Sequence, residues 1–162
     1  MHDGSPDSAV TAFPDFQRFA ILREPVDRIR SVYRMFCRSE STFRHRQLQA
    51  LFGISDVRLS FLDFLAMATR IRNHHWEQMV RFLPTTGTAG LMAFRMEDDF
   101  ALEFEAFFAA EFGVSLTLPR LNVTNSNNDN GLSAEERSLV EAMFPDDLAF
   151  YDVDALRPSS AA

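Results

Sequence analysis

The sequence predicts an α/β fold that is mostly helical, and three observations carry the prediction. An unbroken apolar run, Phe19 to Leu22, reads as a short buried strand. A second apolar segment, Leu91 to Phe94, reads as another strand. The remaining apolar residues recur at helical spacing, as in Phe61, Phe64, Leu65, Ala68 and Ile71, and again in Phe100, Phe104, Phe107 and Phe108.

Each element follows from local chemistry. Residues 1–15 read as a polar leader or the stub of a longer chain. The first strand ends at Arg23, and Pro25 suits the first position of a helix, where its missing N–H costs nothing. That helix runs through Val26, Ile29, Val32, Tyr33 and Phe36. Residues 44–53 form a short helix ended by Gly53. Residues 60–72 form a stronger one, with Ser60 and Asp63 in a capping-box arrangement. Residues 98–112 make the clearest amphipathic helix, stopped by Gly113. An asparagine-rich loop over 118–131 leads to Ser133-Ala-Glu-Glu136, a full capping box opening a last helix that reaches about Phe144, before Pro145. Residues 16–155 are taken as one domain, and residues 156–162 as a disordered tail.

The chain has 162 residues and a net charge of −7, with every one of its 16 basic residues an arginine. The charge is uneven. Residues 18–46 hold eight arginines against Glu24, Asp27 and Glu40, a local excess of +5 on an acidic protein. Such an island suits a local anion site better than a nucleic-acid surface. The single cysteine, Cys37, rules out an internal disulfide and reads as a packing residue. No run approaches the roughly 18 apolar residues of a membrane span, and no basic-then-apolar leader opens the chain, so a cytoplasmic setting is expected. No His and Cys set has metal-ligand spacing.

The richest segment is Arg23-Glu-Pro-Val-Asp-Arg28-Ile-Arg-Ser31-Val-Tyr33. A strand ending in arginine that feeds a helix N-terminus converges a guanidinium, unsatisfied N–H groups and the positive end of a helix dipole. Ser31, one helical turn after Arg28, adds a hydroxyl. The pattern suits a phosphate.

This segment resembles the 3′-phosphate-binding motif of sulfotransferases that use 3′-phosphoadenosine-5′-phosphosulfate (PAPS), in the carbohydrate-type branch, sulfotransferase family 2. Ser60 to Phe64, Asn73-His-His75-Trp76, the segment from Leu91 to Glu97, Leu121-Asn122, and the stretch from Leu132 to Tyr151 follow in that family's order. The resemblance implies a P-loop-type three-layer sulfotransferase architecture that is N-terminally incomplete and mostly helical in what remains. It implies sulfuryl transfer from PAPS, without a metal, to a hydroxyl of a carbohydrate or similar acceptor. Arg23 and Ser31 would bind the 3′-phosphate, with Arg28 fixing the loop. His2, 21 residues before Arg23, matches the place of a catalytic base in some relatives and is otherwise an incidental histidine. His75, Glu97 and Asn122 are the substrate-side candidates.

One part of the family pattern is missing. The glycine- and threonine-rich loop that binds the 5′-phosphosulfate should precede Arg23, and the 22 residues upstream contain no such strand and loop. The alternative is therefore a truncated, non-catalytic relative that binds an anionic ligand or a partner chain, with a completing chain or a homo-oligomer as ways to restore the enzyme. Residues 84–90, Pro-Thr-Thr-Gly-Thr-Ala-Gly, have the composition of a phosphate loop but lack its strand and its cation, and read as a turn. A nucleotide kinase is disfavoured because the G-x-x-x-x-G-K-[ST] pattern is missing.

Overall fold

A computed structural model of the protein describes residues 5–84, 91–96, 99–119 and 131–151. The chain divides into two compact units, one of Met1–Glu24, Arg81–Asn130 and Tyr151–Ala162, the other of Pro25–Val80 and Gly131–Phe150.

The first unit carries the sheet. Its opening helix α1 (Pro6–Ala12) lies in the stretch read from sequence as a polar leader. Ser5 caps it by accepting from the Ser8 N–H at 3.1 Å, and Pro6 takes the first helical position. Both expected strands are present, as β1 (Arg18–Leu22) and β2 (Leu91–Arg95). They pair in parallel with Arg18 opposite Leu91 and Leu22 opposite Arg95, and Met96 N–H extends the ladder to the Leu22 carbonyl at 2.9 Å. Parallel pairing requires a long crossover, and the whole of residues 25–80 lies between the two strands in sequence.

Residues paired across a parallel ladder share a face, so Phe19 and Ile21 lie beside Met92 and Phe94. This face meets α5 (Phe100–Phe112). The Phe19 and Phe94 rings both stand 5.2 Å from that of Phe104, and Phe94 is 5.4 Å from Phe107. Phe94 is fully buried, whereas Phe19 and Ile21 keep 41% and 46% of their surface exposed. Gly113 ends α5 at φ +64°, its N–H returning to the Ala109 carbonyl at 3.1 Å.

The second unit is helical. It contains α2 (Pro25–Tyr33), continued by a π-helical stretch Arg34–Arg38, then α3 (Thr42–Phe52), α4 (Phe61–Ala68), α6 (Ala134–Met143) and all but the last residue of α7 (Pro145–Tyr151). Its core joins Ile29, Val32 and Phe36 to Leu48, Phe64, Leu65, Trp76, Val140 and Phe144. The Trp76 indole donates to the Ile71 carbonyl at 2.7 Å and stands 5.7 Å from the rings of both Phe52 and Phe64. Cys37 is buried in this core, which raises its thiol pKa to about 11.

One helix ends earlier than the sequence suggests. The spacing from Ser60 extends to Arg72, yet α4 stops at Ala68. Thr69 Oγ1 donates to the Ala66 carbonyl, and the N–H groups of Arg70 and Ile71 reach back only three residues, tightening the last turn. The helix opened by the Ser133 capping box ends with Phe144 as its C-cap, where the sequence puts its end, and Pro145 opens a further helix, α7. Among the described residues, no helix is long and apolar enough to cross a membrane.

Candidate functional site

The expected strand and the helix opened by Pro25 are both formed. β1 ends at Leu22, α2 begins at Pro25, and Arg23 and Glu24 make the connection. Pro25 is buried at the helix start, with Asp27 in the first turn. Arg23 and Ser31 are both half-buried.

Arg28 is committed to the protein. Nη2 donates to Asp147 Oδ2 at 2.7 Å, and Nη1 donates to the Glu77 carbonyl at 2.7 Å. The guanidinium also lies over the Phe144 ring, 4.7 Å from its centroid. Asp147 is saturated in turn, accepting from the Met79 N–H at 2.8 Å and the Val80 N–H at 2.9 Å. The pair is hidden from solvent, with 15% of the Arg28 side chain and none of the Asp147 side chain exposed. Burial pulls the Arg28 pKa down, and the charge of Asp147 opposes that shift. Removing either member of such a pair typically costs about 3–5 kcal/mol, because the other charge stays buried.

Of the substrate-side candidates, His75 is within the described residues. Arg44 Nη1 lies 3.3 Å from His75 Nε2 and 2.9 Å from Gln47 Oε1. Arginine can only donate, so Nε2 accepts and the neutral ring carries its proton on Nδ1. The imidazole packs edge-on to Phe36 at 5.1 Å, and the backbone N–H of His75 bonds Asn73 Oδ1 at 3.0 Å. Burial first, then His74 and Arg44, lowers the His75 pKa. With Nε2 facing the Arg44 guanidinium, the neutral ring has no second lone pair to take a proton and offers only its Nδ1–H as a donor. His2, Glu97 and Asn122 lie outside the described residues, as do residues 85–90 of the turn that imitates a phosphate loop. Among the described residues, no group of three His, Cys, Asp or Glu could hold a metal ion.

The sequence reading missed Asp147 and Arg44. Asp147 had a weak local sign, an acidic residue in the first turn after a proline; its partner is 119 positions away. The first unit also contains a cavity of about 370 Å³ walled by Val10, Phe13, Phe16, Phe82 and Leu91, apolar apart from Gln17 and Arg18.

Comparison with known proteins returns no match to a family model, to a curated protein or to a solved structure.

Proposed function

We propose that this protein binds PAPS through the turn after β1 and the start of α2, and transfers its sulfuryl group to a hydroxyl of a carbohydrate or similar acceptor. One observation supports the reading. The motif Arg23-x-Pro25-x-x-Arg28-x-x-Ser31-x-Tyr33 falls on a strand end, a two-residue connection and a helix starting at Pro25. In general, the N-terminus of a helix favours an anion through its first N–H groups and the positive end of its dipole.

In this reading Arg23 and Ser31 hold the 3′-phosphate, and Arg28 fixes the helix that carries Ser31. The donor supplies a sulfur whose bond to the leaving phosphate oxygen breaks as the acceptor oxygen bonds to it. The acceptor loses its proton to a base, with His2 the candidate for that role, and adenosine 3′,5′-bisphosphate departs. His75, Glu97 and Asn122 are assigned to the acceptor side. A three-layer sulfotransferase arrangement and a cytoplasmic setting belong to the same proposal.

The test is a calorimetric titration of the purified chain with adenosine 3′,5′-bisphosphate, with adenosine 5′-monophosphate as control. Micromolar binding that depends on the 3′-phosphate supports the reading. Equal or undetectable binding of the two by a folded protein overturns it.

A further inference from the structure

Asp147 is the only buried polar or charged residue among those described. A carboxylate in that position is costly unless every oxygen is engaged, and here three donors engage it. They come from two separate parts of the chain, Arg28 on α2 and the backbone of Met79 and Val80. Through Nη1, Arg28 also holds the Glu77 carbonyl on that same segment. One carboxylate on α7 and one guanidinium on α2 thus cross-link three segments. Positions three apart on a helix are neighbours on one face, so Ser31 adjoins the Arg28 that is locked.

We propose that Asp147 is a positioning residue for the nucleotide's 3′-phosphate, acting through Arg28 to fix α2 and the direction of the Ser31 hydroxyl. The assignment rests on the nucleotide reading above. It differs from a direct role for Arg28, whose guanidinium is already shared between Asp147 and Glu77.

The sign of one change separates the two roles. Asp147→Asn frees the Arg28 charge. If Arg28 contacts phosphate directly, affinity for adenosine 3′,5′-bisphosphate should rise. If Asp147 positions α2, that affinity should fall by about tenfold, the scale of one charge-assisted hydrogen bond, with adenosine 5′-monophosphate binding unchanged. Amide hydrogen exchange over residues 27–33 should speed up in the same variant. Arg28→Gln guards against simple misfolding, because Asp147 keeps its bonds to Met79 and Val80 while α2 loses its link. It should show the same selective loss, read on protein whose circular dichroism matches wild type.

Raised or unchanged bisphosphate affinity in folded Asp147→Asn overturns the assignment alone. So does an equal loss for both nucleotides, which would mark a general loosening. A wild-type protein that fails to distinguish the nucleotides overturns the nucleotide reading and this assignment with it.

Discussion

Arg44 donates toward His75 Nε2 across 3.3 Å, although the two residues are 31 positions apart in sequence. The contact requires a neutral imidazole, since a protonated ring would face the guanidinium with a second positive charge. Burial, His74 and Arg44 all act in that direction and lower the His75 pKa below its ordinary 6.5. The unfolded chain therefore takes up this proton at higher pH than the folded one. Stability from this source is complete above about pH 6.5 and falls as pH drops through that value toward the lowered folded pKa, below which it is flat. Urea unfolding of wild type and His75→Gln between about pH 7.5 and 5.5 should show a shallower acid-side loss in the variant. Equal slopes would remove His75 as the titrating group.

Arg23→Ala and Ser31→Ala test the phosphate reading at its two proposed contacts. A hydrogen bond to a charged group is worth about 1.5–3 kcal/mol, so Arg23→Ala should weaken adenosine 3′,5′-bisphosphate binding by about tenfold or more. The neutral Ser31 hydroxyl contributes less, and its loss should be smaller. Both variants should bind adenosine 5′-monophosphate as wild type does. Unchanged bisphosphate affinity in Arg23→Ala would refute the contact.

Much of the local structure was legible because it is encoded locally. Phe19 to Leu22 and Leu91 to Phe94 are short apolar runs, and both became strands. Gly53, Gly113 and the Ser133–Glu136 capping box ended or began the helices their chemistry indicated. The α1 helix went unread because none of its residues is buried, so no apolar stripe marks it. Its signature was confined to Ser5-Pro6. What escaped the sequence was long-range pairing. Nothing near Arg28 announces Asp147, and nothing near His75 announces Arg44. Their chemistry is common to every arginine, and only the folded chain selects the partner.

Phe94 should be the most sensitive position in the sheet-bearing unit. It is fully buried, and its ring lies within 6.4 Å of those of Phe19, Phe100, Phe104 and Phe107. Phe94→Ala removes the ring that links the sheet to α5. Such truncations typically cost about 3–5 kcal/mol, transfer and cavity terms together. Chemical denaturation followed by circular dichroism should show that loss, and Phe94→Leu should recover part of it. A cost below about 1 kcal/mol would mean that the α5 contact is not formed as described.

Gly53 isolates backbone strain from packing. It ends α3 at φ +66°, with its N–H on the Gln49 carbonyl at 2.9 Å, and an added Cβ would meet nothing within 4 Å. Any penalty for Gly53→Ala therefore comes from the left-handed conformation alone, about 1–2 kcal/mol. Asparagine tolerates that region better, so Gly53→Asn should cost less than alanine. Trp76 is the only tryptophan and stands 5.7 Å from the Phe52 ring next to Gly53 in sequence. Its fluorescence can follow urea unfolding of both variants. The order alanine below asparagine below wild type in stability is required, and equal stability of all three would refute the left-handed cap.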